Sequence, residues 1–346
     1  MKTLFNRQWS RRRFLSRSTQ AAAGLTASSL CVLSRPAHAV IEPATVTEIY
    51  QGERGVTLYL EMLHGPFPCG GESYENAETI VYVPYHYRLP ADERIDTVVH
   101  FHGHRTTARD AMVDHQLREQ LLDSLQNGIL VMPQGPVEAE DSSGGKLDEP
   151  DGLLDFLTEV RKTLQLSEVM TACGDAAVSA TARIGALCIS AHSGGYRVTA
   201  NCLLHGGYNV NEVYLFDALY GQLDIFEDWI VARADQSHSR ERHKLISYFN
   251  DEGGSVRRNN NRLMERLDEA GIDYVHEEPD DLLTRGEMTR GRVVFIETRQ
   301  SHQALTFTHN NLRDCLYASC LHREIDSTWF DEAEGERVID VRADFD

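Results

Sequence analysis

The chain has 346 residues, 41% of them hydrophobic and 25% charged, a globular composition with enough apolar residues for a large core. Lys and Arg total 34 against 53 Asp and Glu, a formal net charge of -19, so a nucleic-acid polyanion is repelled over most of the surface and anionic lipid is disfavoured as well. No apolar run approaches the roughly 18 residues of a membrane span, which predicts a soluble protein without stable membrane insertion.

In chain order the first feature is a leader. Arg11, Arg12 and Arg13 precede Phe14 and Leu15, a mildly apolar stretch runs from Ala21 to Leu33, and Ala37-His38-Ala39 ends it with a small-x-small site before Val40. The pattern resembles a twin-arginine export signal, which implies the twin-arginine machinery as a partner, cleavage after residue 39, and a periplasmic or secreted mature protein. Removing 1–39 takes away seven basic and no acidic residues, leaving 27 Lys and Arg against 53 Asp and Glu, a net charge of -26. Residues 40–346 show no repeat, linker or shift in composition, so one domain is expected there.

Around 46–51 and 56–63, β-compatible runs suggest an antiparallel edge. From residue 78 strand-like and helix-like patterns alternate. Strands are expected at 79–83, 97–102, 129–133, 183–190, 213–217, 245–250 and 292–298. Helices are expected at 108–125, 153–164, from 196, 223–234, 257–270 and 310–321. Such alternation predicts an α/β fold with a mostly parallel central sheet covered by helices on both faces. The longest irregular stretch, 134–152, follows a strand's carboxyl end, the side on which open α/β sheets bind ligands.

Six cysteines follow the leader, too few to build a disulfide scaffold in about 300 residues. Cys188 and Cys202 are expected to be small buried thiols, and Cys69 with Cys173 is the candidate pair. No cysteine spacing matches a zinc ribbon.

The most informative segment is the apolar strand ending in Ala191-His192-Ser193-Gly194-Gly195, with helix-compatible sequence directly after it. It resembles the nucleophile elbow of the α/β-hydrolases, with Ala191 in place of the usual first glycine. Upstream, His102-Gly103-His104 ends a strand where that superfamily places a His-Gly turn, which implies an oxyanion hole made by the backbone N–H groups of His104 and Gly194. Downstream, His302 follows a strand in the position of the superfamily's general base, and His309 is expected in the next helix. Two strand ends offer the acid. Asp217 interrupts an apolar run, where an unpaired charge would be costly; Asp251 sits in a polar turn and is the alternative.

The resemblance covers residues 78–320 and implies α/β-hydrolase architecture with a serine esterase mechanism. Only about 25 residues separate Asp217 from the next strand, so no large cap domain is expected. The reading is an exported hydrolase of small-molecule or polymer esters, with amides ranked second, in which Ser193 is the nucleophile, His302 the base and Asp217 its orienting acid. No cofactor and no resident metal are called for. Two alternatives stand beside it. His100, His102 and His104, with Asp110 nearby, would lie on one face of a strand end and serve a metal-dependent hydrolase; or the chain could be a non-catalytic binding protein on a hydrolase scaffold.

Overall fold

The computed structural model describes residues 40–234, 243–279 and 285–323. Residues 1–39, where the export signal is expected, lie outside them, as do residues 235–242 of the segment expected to lack a cap. The described residues share a ten-stranded sheet in the order β1-β2-β3-β5-β4-β6-β7-β8-β10-β9. Strands β1 (Thr45–Gly52), β2 (Gly55–Glu61) and β3 (Glu78–Pro84) form the antiparallel edge. β3 then pairs antiparallel with β5 (Gly128–Pro133). From β5 onward the sheet is parallel through β4 (Arg94–Phe101), β6 (Arg183–His192), β7 (Glu212–Phe216), β8 (Lys244–Asn250), β10 (Val293–Thr298) and β9 (Val275–Glu277). This is the α/β class expected. β9 is the strand the sequence reading missed, because three half-buried residues carry no usable period.

Both faces of the central strands are buried, and alternate residues of one strand feed two cores. Leu187, Ile189 and Ala191 of β6 join one apolar cluster, and Cys188 between them joins the other. Helix α3 (Gly152–Leu164) covers the first face with Leu153, Phe156, Leu157, Val160 and Leu164, spaced at one stripe of a 3.6-residue helix. Each such side chain contributes about 1.5–3 kcal/mol on burial.

The single helix expected over 108–125 is two. α1 (Ala108–Asp114) and α2 (Leu117–Ser124) are separated by Gln116, whose φ of 51° is left-handed. The break lets the His115 ring turn inward, where it meets the rings of His100 and His192 at centroid distances of 5.8 and 4.7 Å. His309 is in no α-helix either: its φ of 61° places it in a tight turn before the helix Asn311–Tyr317. Cys188 and Cys202 are buried thiols as expected, whereas Cys69 and Cys173 are both free. Cys69 approaches Glu149 and Cys173 ends helix α4 (Ser167–Cys173), so the proposed pair is not formed.

Candidate active site

The carboxyl ends of β4, β6, β7 and β10 converge at one place. β6 runs into helix α5 (Tyr196–His205) through Ser193, whose φ is 50°. A left-handed serine costs on the order of 1–3 kcal/mol and persists only where its surroundings hold it. Here the neighbours must be glycines. A Cβ on Gly103 would lie 2.9 Å from the Ser193 Cβ, one on Gly194 2.2 Å from the His104 ring, and one on Gly195 2.7 Å from the Phe101 carbonyl.

Ser193 Oγ lies 2.9 Å from His302 Nε2, and His302 Nδ1 lies 2.5 Å from Asp217 Oδ2. With the ring proton on Nδ1, that nitrogen donates to the carboxylate and Nε2 accepts from the serine hydroxyl. Asp217 directly follows β7 and is 4% exposed. It too has a left-handed backbone, φ 45°, and its N–H donates to the Tyr248 carbonyl at 2.8 Å. Among the described residues Asp217 Oδ1 is buried without a hydrogen-bond partner, so the carboxylate is directed through one oxygen at His302. Asp251 is elsewhere. It follows β8, its N–H donates to the Thr298 carbonyl, and its carboxylate faces Arg299 at 3.9 Å on a partly exposed surface.

The three strand-end histidines do not act as a set. β4 stops at Phe101, so the chain has left the strand before His104 and the face shared in an extended run is lost. His100 Nδ1 pairs with Ser190 Oγ at 2.9 Å. His102 Nε2 accepts from the Gly135 N–H and from Gln134 Nε2, while its Nδ1–H donates to the Gly103 carbonyl. Those bonds use the lone pair a metal would need. His104 bonds Ser142 Oγ at 2.8 Å and lies against Gly194. Asp110 accepts from the Thr107 hydroxyl at the start of α1. Among the described residues, the group of three or more His, Cys, Asp or Glu side chains with converging ligand atoms is Cys188, Glu212 and Cys320, away from this site. There the Glu212 oxygens already accept from the Cys320 N–H and the Tyr214 hydroxyl.

Two residues at the site escaped the sequence reading. His192, in the elbow itself, donates from Nε2 to the His302 carbonyl at 2.9 Å, and the two rings lie 4.8 Å apart. It belongs to a buried series with His115 and His100. Burial, reinforced by neighbouring histidines, pulls His192 down to about 3, His115 down to about 4 and His100 well below the usual range, so all three are neutral at pH 7. Tyr220 stands edge-on to His302 at 6.4 Å; burial and then the Asp217 charge raise its phenol. His192 carried the signal of adjacency to Ser193. Tyr220 carried none, since only the turn after β7 folds it back over the site.

Ser193 and His302 open into a cleft of about 500 Å³, also lined by His104, Arg105, Asp114, His115, Gln303 and Phe307. A second space, about 20 Å³, is lined by Gly103, Ser142, Gly194, Gly195 and Val198.

No family model matches the chain, and no curated protein matches it in sequence. Solved structures do. A variant of the feruloyl esterase module from Clostridium thermocellum, complexed with sinapinate, is 14% identical, with 82% of this chain and 92% of that one covered at a TM-score of 0.44. S-formylglutathione hydrolase from Staphylococcus aureus is 12% identical, with 80% and 99% covered at 0.46. A ferulic acid esterase is 16% identical, with 79% and 97% covered at 0.42.

Proposed function

We propose that the protein is a serine hydrolase that cleaves carboxylic esters through an acyl-enzyme. The observation that carries this reading is the unbroken hydrogen-bonded series Asp217–His302–Ser193, assembled from three strand ends 85 and 109 residues apart. Ser193 Oγ attacks the carbonyl carbon as its proton passes to His302 Nε2. Asp217 holds the Nδ1–H tautomer and stabilises the imidazolium. The oxyanion forms beside the turn where His104 meets Gly194, whose backbone N–H groups serve as donors. His302 then gives its proton to the leaving oxygen, the carbonyl–oxygen bond breaks, and water releases the acid by the same steps in reverse. Asp217 is the acid and Asp251 is not, because its side chain faces Arg299.

The non-catalytic alternative has no reason to keep a left-handed serine in contact with an imidazole, since such strain is a net cost unless it is used. Export through the twin-arginine route, to the periplasm or beyond, remains the expectation carried by Arg11, Arg12 and the site after Ala39. Arg11→Lys with Arg12→Lys should leave uncleaved protein in the cytoplasm. Catalysis is tested by a fluorophosphonate, which should label wild type at Ser193 and spare Ser193→Ala, with ester turnover falling by roughly 10⁴-fold or more in that variant. A Ser193→Ala protein that keeps a tenth of the activity removes Ser193 from the mechanism.

A further inference from the structure

We infer that Cys188 and Cys320 are a disulfide site, and that the bond fastens the segment after helix Asn311–Tyr317 onto the sheet. Both residues are thiols in the structure. Their sulfurs and a carboxylate oxygen of Glu212 lie within 4.8 Å of one another. Cys188 belongs to β6 and is fully buried, whereas Cys320 is partly exposed. The inference goes beyond the serine-hydrolase reading and does not need it.

The strands on either side of β6 hold Cys320 in place. Its N–H donates to Glu212 Oε1 at 2.8 Å, and Glu212 is the residue of β7 that pairs with Cys188 across the sheet. Two residues on, the His322 N–H donates to Asp96 Oδ2 at 2.8 Å, while the His322 carbonyl accepts from the Asn127 N–H at 2.8 Å. Asp96 belongs to β4, which pairs with β6 on the side opposite β7. The backbone around Cys320 is therefore tied to both neighbours of the strand that carries Cys188. Rotation about the two Cα–Cβ bonds closes the remaining distance to the roughly 2 Å of a sulfur–sulfur bond.

A metal ion is the other use for two sulfurs and a carboxylate, and the surroundings oppose it. Both thiols would have to lose their protons to bind a cation, yet burial pushes the Cys188 thiol up from its usual value, and the Glu212 charge adds to the effect. Glu212 already accepts from the Cys320 N–H and from the Tyr214 hydroxyl. A disulfide adds no charge and leaves both of those bonds intact. Its formation needs a disulfide donor, oxidised glutathione in the simplest case. The thiolate of the partly exposed Cys320 attacks one donor sulfur and expels one donor thiolate; Cys188 then attacks Cys320 Sγ and expels the second. The two cysteine protons end on the two donor thiolates, and two electrons have reduced the donor. The loop closed from 188 to 320 contains Ser193, Asp217 and His302, so the bond ties the segment beyond His302 back to the strand that delivers Ser193.

The purified full chain is incubated with oxidised glutathione at room temperature and again a few degrees below its melting temperature, where local opening exposes the pair. It is then unfolded, alkylated without reduction and digested. Mass spectrometry should find the peptides of Cys188 and Cys320 joined, two hydrogens lighter than the pair of thiol peptides, with Cys202 and Cys315 alkylated. The oxidised protein should melt at least about 4 °C above the reduced protein, because the bond closes a long loop. Cys320→Ser should lose both the cross-link and the rise, and the wild-type map decides even where that variant does not fold. Cys188 and Cys320 both alkylated after both incubations, or Cys188 joined to Cys315 instead, would overturn the proposal. A cross-link that leaves the melting temperature unchanged would overturn the fastening role. Zinc offered to the reduced chain in place of glutathione should shield neither thiol from alkylation; stoichiometric zinc that shields both would make the cluster a metal site and sink the disulfide assignment.

Discussion

Replacing His192 by Phe keeps a ring of similar size in the elbow and removes its one donor to the base loop. In the native site Nε2–H meets the His302 carbonyl at 2.9 Å, and the adjacent rings lie 4.8 Å apart. Losing the partner of a half-buried carbonyl costs about 1–3 kcal/mol. That cost falls on the segment that carries the proposed general base, so it appears as a less populated reactive arrangement of His302 against Ser193. Roughly 1.4 kcal/mol is a factor of ten, and small misplacements at a reacting centre reach about 100-fold. We therefore expect kcat to fall 10- to 100-fold with KM changed less than about threefold. His192→Gln, whose side-chain amide can reach the same carbonyl, should recover much of the loss. The assay is steady-state kinetics on a 4-nitrophenyl ester together with the rate of fluorophosphonate inactivation, which should fall in parallel. A purely structural His192 would lower the melting temperature of both variants and leave kcat of the folded protein near wild type. That result, or a Gln variant as slow as the Phe variant, would refute the argument.

Asp217→Asn should reduce kcat by several orders of magnitude while Asp251→Asn changes it little, because only Asp217 touches His302; the opposite ranking in initial-rate assays would transfer the acid role to Asp251. Gly103→Ala should cost at least about 100-fold in kcat without unfolding the protein, since the new methyl would press on the Ser193 Cβ at 2.9 Å, and a normally active variant with an unchanged circular dichroism spectrum would contradict that contact. Acid should destabilise the fold through the buried histidines. Their pKa values are lowered on folding, so the unfolded chain binds more protons below about pH 6.5, and stability present above that pH is lost as pH falls toward about 4 for His115 and about 3 for His192. At about 1.4 kcal/mol per unit, each group contributes a few kcal/mol. His115→Phe should therefore narrow the gap between melting temperatures at pH 7 and pH 4.5, and an unchanged gap would show that His115 is not held neutral by the fold.

The sheet class, most strand positions and the Ser193 elbow were legible from the chain because each is encoded locally. Periods of 2 and 3.6 residues report which side of a strand or helix is buried, and small residues around one serine report a turn too tight for side chains. Where the chain breaks its own period, tertiary contacts won. Gln116 interrupts a run with helical spacing because His115 finds burial against His100 and His192. The choice between Asp217 and Asp251 was open along the sequence, since both follow strands. In space the two part: β7 lies next to β6 and brings Asp217 to His302 Nδ1, whereas the turn after β8 points Asp251 at Arg299. The three alternating histidines, which carried the metal-dependent alternative, part for a related reason: a shared face exists only while the chain stays extended, and β4 ends at Phe101. His192 and Tyr220 show the remaining limit. A hydrogen bond from residue 192 to the carbonyl of residue 302, or a ring folded back over a site after a turn, depends on long-range packing that no local pattern of residues encodes.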